Sequence, residues 1–441
     1  MLDPCIVPSF TLLLQAFQAC FTAPSFTSFV WLASGWVLNL RRHTVTETVR
    51  AAQAVGSKHV SSFHRLFSRG RWVTDEVGLV LVRLVVSLLV DPAKPLVVPI
   101  DDTLGRHTGK KIAAASMHRD PLLSTGKRPF FHWGHVWVVL SINLYAFDKT
   151  WALPVLVRLY RSKKRCVRDK CSFRKTTELA REMVDLLAGT LPTRRIIVVG
   201  DAAYTNGALM RRRPPNVHLI GRSRPDAALY APAPRYRGRG RPRARGARVR
   251  SPAARAARKD ARWQRVRVTV YGKTVLLRVL VIDALWYVAA GSELVRLLVV
   301  RGFPGHDKDD VFVSTDPSLQ AAAIIETFSE RWALEVAFYH AKGKLGFEDP
   351  QNRTEHAVER TAPMALWLYS LVVIWYLRTG QHLRAARVAV LPWYSSKAAP
   401  AFSDRLATLR RSSWLERLSV PCANVPTLRK RIRPILEYAA A

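Results

Sequence analysis

Cysteine is scarce in this chain: five among 441 residues, Cys5, Cys20, Cys166, Cys171 and Cys422. Thiols so few and so unevenly spaced exclude a disulfide framework. Cys166 and Cys171 lie close together, but no second ligand pair at zinc spacing accompanies them. Long apolar runs are missing as well. The apolar N-terminal stretch is interrupted by Pro8, Gln15, Gln18 and Pro24, and none of its runs approaches the ~18–20 unbroken apolar residues of a membrane-spanning helix. Met364 to Leu377 is apolar but short and follows Pro363, which predicts a buried helix. No basic residue precedes Arg41, so a secretory leader is not expected and a soluble, intracellular protein is. The segment Gly105 to Lys110 lacks the spacing of a nucleotide-binding phosphate loop. No fixed-period repeat is present, which excludes a solenoid.

Acidic residues are the other shortage. Asp and Glu number 32 against 69 Lys and Arg, a formal net charge of +37 and a pI near 11.0. A field of that sign attracts polyanions, and nucleic acid is the expected partner. A membrane surface is the competing polyanion, but the basic residues are not carried on an amphipathic helix that would lie on one. Genomic base composition can inflate arginine and alanine at neutral positions, yet it does not explain so few acids. With 49% apolar residues, the chain has material for two or three packed domains.

Residues 1–92 read as a helical N-terminal region, expected to contact DNA. Thr44-Val45-Thr46-Glu47 is a helix start, Ser57 to Phe67 forms a second short helix, and Val77 to Val90 is a third, buried one. Arg65, Arg69 and Arg71 follow the Gly that splits the first two. From Pro95 the pattern changes. Leu96 to Ile100 is a short apolar strand ending on Asp101-Asp102-Thr103, and His135 to Tyr145 and Trp151 to Tyr160 are further strands. Thr176 to Ala188 has helical periodicity, and Arg195 to Gly200 is a buried strand ending on Asp201. Residues 93–208 therefore form the first part of an α/β core.

Residues 209–318 read as a β-rich basic insertion. Arg235 to Arg250 carries eight Arg in sixteen residues with Gly and Pro between them, which cannot build a packed core. Its side chains, among them Arg237, Arg239, Arg241, Arg243 and Arg245, are expected to bind phosphates without sequence preference and steeply with salt. A hairpin follows, Arg265 to Val270 and Thr274 to Ile282, turning at Tyr271-Gly272-Lys273. Trp286 to Val288 and Val311 to Val313 suggest further strands. Residues 319–348 hold one long helix from Phe328 through Lys342. Residues 349–441 form a helical C-terminal region with a basic finish at Arg429, Lys430, Arg431 and Arg433.

On that long helix, Arg331, Glu335 and Lys342 fall on one face at ~100° per residue. An Arg–Glu pair at i,i+4 is by itself a common surface feature. With Asp101 and Asp201 at strand ends, however, Glu335 completes three carboxylates from three different elements. Clustered carboxylates raise one another's pKa unless a cation neutralises them. Hard oxygen donors suit Mg²⁺ or Mn²⁺, and two such ions can activate a water or 3′-hydroxyl for phosphodiester cleavage.

These residues resemble the DDE transposases of bacterial insertion sequences. Arg331-x3-Glu335-x6-Lys342 is similar to their Tyr-x2-Arg-x3-Glu-x6-Lys signature, with Phe328 at the Tyr position. Asp201-Ala-Ala-Tyr204 resembles the second-Asp segment and Asp101-Asp102-Thr103 the first. Asp102 competes with Asp101 for the first position, and the Asp-x-Thr register favours Asp101. The resemblance implies an α/β fold: an RNase H-like catalytic core with a β-rich insertion domain, flanked by helical N- and C-terminal regions. It implies that Asp101, Asp201 and Glu335 are catalytic and bind two Mg²⁺ or Mn²⁺ ions, and that Arg331, Lys342 and the Phe328 position contact phosphates of the transposon end. Phe328 has no hydroxyl to donate, which leaves open whether the second strand is opened through a hairpin. Expected partners are double-stranded DNA (terminal inverted repeats and target) and a second copy of the chain on that DNA, with no membrane. The expected location is the bacterial cytoplasm. Two readings compete with a transposase: an RNase H-like endonuclease that cuts without joining, and a domesticated DNA-binding protein that has lost catalysis.

Overall fold

The computed structural model describes residues 6–120, 123–125, 127–235, 241–383, 386, 397 and 399–417. Arg237, Arg239 and the basic finish from Arg429 to Arg433 lie outside them. The chain opens with five helices: α1 (Pro8–Gln15), α2 (Ala23–Leu38), α3 (Val45–Ala51), α4 (Val60–Ser68) and α5 (Thr74–Leu89). At the start of α3, the Thr44 hydroxyl accepts from the Glu47 amide at 3.3 Å, satisfying one of the orphan donors of a first turn. The helices turn buried aromatic residues inward, Phe10, Phe29, Trp36, Phe63 and Phe67 among them. α1, α2, α4 and α5 pack on the long helix α13 (Glu355–Arg378), and α3 packs on α2 and α4. Although α13 is long and apolar enough to cross a membrane, nearly all of its apolar window is buried within the protein.

The core sheet begins with β1 (Leu96–Arg106), β2 (Ser116–Arg119), β3 (Phe131–Ala146) and β4 (Lys149–Tyr160). β3 and β4 form a hairpin whose turn, Phe147-Asp148, has both residues at positive φ, the backbone a tight two-residue turn demands. After α6 (Lys163–Asp169) and α7 (Thr176–Thr190) come β5 (Ile196–Gly200), the short α8 (Gly207–Met210) and β6 (Val217–Arg222). The order across the sheet is β4-β3-β1-β5-β6, with β5 and β6 parallel to β1 and β3 antiparallel to it. This is the RNase H-like arrangement. β6 falls inside the segment expected to be an insertion, yet it is the fifth strand of the core.

The chain then leaves and returns through β7 (Leu229–Tyr230), β8 (Arg248–Val249), α9 (Pro252–Ala256), β9 (Gln264–Val270), β10 (Lys273–Leu285), α10 (Tyr287–Ala290), β11 (Leu294–Arg301) and β12 (Asp310–Ser314). The expected hairpin is β9–β10, with Tyr271 and Gly272 both at positive φ. Trp286 to Val288 is a helical turn instead of a strand, because Trp286 caps α10 and its carbonyl accepts the amides of Ala289 and Ala290. β12 pairs with β6 and β11 with β12, so the inserted strands extend the core sheet to twelve strands among the described residues. A second apolar cluster centred on Phe312, Val300, Ile324 and Phe328 fills this junction.

The single long helix expected around Glu335 is two: α11 (Ala321–Ser329) and α12 (Trp332–Leu345), with Glu330 and Arg331 between them still at helical φ and ψ. α12 stops at Gly346, whose φ of +59° and whose closeness to His43 and Asp349 leave no room for a side chain. The Trp36 indole donates to the Leu345 carbonyl at 2.8 Å. The N-terminal helices thereby brace the end of α12. α14 (Phe402–Arg417) closes the described chain.

Candidate active site

β1 and β5 run parallel and in step, Leu96 opposite Ile196 through Pro99 opposite Val199. Asp101 and Asp201 therefore leave this pairing at the same level. The C-terminal ends of neighbouring parallel strands are where open α/β sheets place their ligands. Asp101 is not at a strand tip, as the sequence suggests. β1 continues to Arg106 because Asp101 to Arg106 pair with β3 down to Gly134. That pairing is close: a side chain on Gly134 would meet the Gly105 carbonyl at 2.0 Å.

Beyond Gly200 the chain turns sharply. The Asp201 Oδ1 accepts the amides of Ala203 at 2.8 Å and Tyr204 at 3.2 Å, an Asx-type turn. This turn folds the buried Tyr204 back over the sheet, where its hydroxyl donates to Asp102 Oδ1 at 2.9 Å. On the other side, Arg331 donates one guanidinium nitrogen to Asp101 and another to Glu335 Oε1, the latter at 2.9 Å. The Lys342 ammonium, two turns further along α12, donates to the Leu104 carbonyl of β1 at 2.7 Å and lies 3.8 Å from Glu348. The face of α12 read from the sequence is thus the face laid against β1.

The electrostatics are those of crowded carboxylates. Burial pushes Asp101 up to about 7; Arg331 opposes the rise, while Asp102 and Asp201 add to it. Asp102 keeps an open edge to solvent, yet burial and the charge of Asp201 hold its pKa above the carboxylate range, against the Tyr204 hydrogen bond. Burial and the neighbouring Asp102 raise Tyr204, so it remains a neutral donor. Burial would lower Arg331, but Asp101 and Glu335 outweigh it. Burial lowers Lys342, with Glu348 opposing.

The sequence-predicted residues are thus brought together in part. Asp101, Asp201, Arg331 and Glu335 share one locus, joined by Asp102 and Tyr204. Among the described residues, no three His, Cys, Asp or Glu side chains converge closely enough to hold a metal ion as they stand. The guanidinium of Arg331 lies between Asp101 and Glu335 where a cation is wanted, and its buried Nε finds no partner among the described residues. The donor set still fits a divalent ion: its ligands are all oxygens, and one of them, Asp101, is a carboxyl that burial pushes up to about 7 and that added positive charge would bring back down. Arg331 and Lys342 face protein groups instead of standing free for phosphates. Phe328 does not reach the surface. It is buried against Phe312 at 4.7 Å, with the Arg222 and Arg331 guanidinium groups 5.7 and 6.0 Å from its ring. An aromatic ring without a hydroxyl suits that apolar junction. Of the arginine-rich arm, Arg241 and Arg243 are exposed, whereas Arg245 is held over the rings of Tyr230 and Tyr287 at 4.0 and 4.6 Å.

The family model described as DDE superfamily endonuclease matches residues 16–274, more than half of the chain. The chain belongs to the DDE superfamily endonucleases. Asp101 and Asp201 lie within the matched stretch, and Glu335 lies beyond it. Endonucleases of this superfamily use divalent metal ions. No curated protein matches the chain. Among solved structures it is similar to a piggyBac transposase in a synaptic complex with hairpin DNA, at 10% identity and a TM-score of 0.42 over 99% of this chain and 82% of that one.

Proposed function

We propose that this DDE superfamily endonuclease is a DNA transposase of the bacterial insertion-sequence type: it cuts the ends of its element and joins the freed 3′-hydroxyl to target DNA. The observation that carries the reading is the in-step departure of Asp101 and Asp201 from adjacent parallel strands, with Glu335 delivered beside Asp101 through Arg331. Asp101, Asp201 and Glu335 would hold the Mg²⁺ or Mn²⁺ ions, with Asp102 next to them. Divalent ions at such a carboxylate set polarise the phosphodiester and lower the pKa of the attacking hydroxyl.

The chain's own groups prepare that site. Tyr204 holds Asp102 by a neutral hydrogen bond. The turn capped by Asp201 Oδ1 directs that carboxylate while leaving its second oxygen for a ligand. Arg331 holds Asp101 and Glu335 side by side, and its forked donors are of the kind that would also suit a phosphate oxygen. Lys342 anchors α12 to β1. Direct attack needs no covalent enzyme intermediate and no ATP, in keeping with the missing phosphate loop. The +37 net charge favours DNA as partner, and holding two element ends calls for two copies of the chain on DNA. Its place of action would be the bacterial cytoplasm.

The test uses a radiolabelled, pre-cleaved element end, the full-length protein and Mg²⁺ or Mn²⁺. Joining of the 3′-end to a plasmid target supports the transposase reading. Cutting of uncleaved ends without joining would replace it with an endonuclease that lacks strand transfer.

A further inference from the structure

Beyond Asp101, β1 runs on to Arg106 and opens into a cavity of about 560 Å³ between the loop after β1 and the turn after α12. Its wall holds five basic side chains, Arg42, Arg106, Lys110, Lys111 and Arg353, and a single carboxylate, Glu348. That carboxylate is already engaged, accepting the Arg106 amide at 3.0 Å and facing Lys342 at 3.8 Å. Arg106 pairs with the buried Asp120 at 2.8 Å, which also meets His132 at 2.9 Å. Arg42 stands 4.0 Å from Asp349 at the rim. Among the described residues, no carboxylate pairs with Lys110, Lys111 or Arg353. Lys110, Lys111 and Arg353 are all exposed, and together they give the cavity an excess of positive charge that attracts a polyanion.

We propose that this basic cavity binds backbone phosphates of the DNA on which the site acts, as a second anchoring point separate from the carboxylates. The proposal rests on the DNA-processing reading and adds a site that reading does not contain. Arg106 lies five residues beyond Asp101 on β1, roughly 17 Å along the strand, or about five base steps at ~3.4 Å each. That is a separation one duplex can bridge, so a phosphate held here and the scissile one are assigned to the same duplex. Lys110 and Lys111 are exposed and reach the cavity from a loop, so they act as point charges on the backbone instead of reading bases.

The experiment measures binding of the full-length protein to a 30-bp duplex across 50–200 mM salt without divalent ions, so that cutting plays no part. Lys110→Ala/Lys111→Ala is compared with Lys94→Ala/Lys149→Ala. The second pair is exposed at the opposite end of the same strands and removes the same charge. Losing two phosphate contacts should lower the slope of log K against log salt by about 1.8, and weaken binding ~30-fold at 0.15 M from the counterion-release term alone. The Lys94/Lys149 pair should keep the wild-type slope. Equal effects of the two pairs, or no effect of the first, overturn the cavity as a phosphate site. Circular dichroism confirms that each variant is folded, and Arg353→Ala supplies an independent change that should lower the slope by about half as much. Wild-type cleavage and joining are scored separately: their absence would remove the transposase reading while leaving the binding result to decide the cavity.

Discussion

Divalent-ion binding should strengthen with pH because Asp101 must give up a proton. Burial, Asp102 and Asp201 hold Asp101 at about 7 in the folded chain, against an ordinary value of 3.8. Between those values the folded state keeps a proton that the unfolded state has lost. Without metal, the Asp101 contribution therefore makes the fold less stable as pH rises from 4 to 7, by roughly 4 kcal/mol at most. A bound divalent ion reverses the preference, since it requires the carboxylate. At pH 6 about one Asp101 in ten is ionised and at pH 8 about nine in ten, so the apparent ion affinity should rise about tenfold over that interval, or ~1.4 kcal/mol. The assay is thermal denaturation with Mn²⁺ titrated at pH 6, 7 and 8, with the affinity taken from the ion dependence of Tm. Asp101→Asn should bind Mn²⁺ more weakly and lose the pH dependence. A flat pH profile in the native chain, or unchanged behaviour of the variant, would refute the assignment of Asp101 as an ion ligand.

Three further expectations follow from the same geometry. Arg331→Met removes the guanidinium that joins Asp101 to Glu335 and should destabilise the ion-free protein by about 3 kcal/mol at pH 8. Urea denaturation should show a smaller loss at pH 5, where Asp101 takes up a proton instead. Tyr204→Phe deletes only the hydroxyl donated to Asp102. It should cost about 1–2 kcal/mol in the same assay, and an unchanged midpoint would mean that the hydrogen bond contributes nothing. Gly134→Ala drives a methyl group into the Gly105 carbonyl and should destabilise by about 3 kcal/mol or abolish soluble expression. A variant as stable as the wild type would contradict the tight β1–β3 pairing.

The site was legible in the sequence because its logic is local. The apolar runs Leu96 to Ile100 and Ile196 to Gly200 each lead into an aspartate, Asp101 and Asp201, and the helical period puts Arg331, Glu335 and Lys342 on one face. What escaped was set by distant contacts. β1 outruns its apolar run because β3 supplies partners as far as Arg106. β6 was hidden because Val217–Arg222 is short and follows a basic, Pro-containing loop, and only β5 and β12 beside it show it to be a core strand. β11 (Leu294–Arg301) has almost no alternation, since it is covered on both faces, and periodicity cannot identify such a strand. Phe328 reads as a signature position only through the resemblance to the Tyr-x2-Arg-x3-Glu-x6-Lys pattern, yet the extended sheet packs Phe312 against it. Arg331 reads as a phosphate clamp through the family resemblance, yet in the fold its guanidinium pairs with Asp101 and Glu335. Asp102 and Tyr204 had a signal, standing next to Asp101 and three residues after Asp201; their contact is visible only once β1 and β5 are aligned.

The central claim is that Asp101, Asp201 and Glu335 together support metal-dependent DNA cutting. Its most direct measurement is cleavage of DNA carrying the element ends, in Mg²⁺ or Mn²⁺, by the native chain and by Asp101→Asn, Asp201→Asn and Glu335→Gln, each shown to bind DNA as the native chain does. The account predicts ion-dependent cutting by the native chain and a loss of about a thousandfold or more in each variant, as expected when residues act as one unit. Cutting that survives any of the three substitutions, or that proceeds equally in chelator, would contradict it.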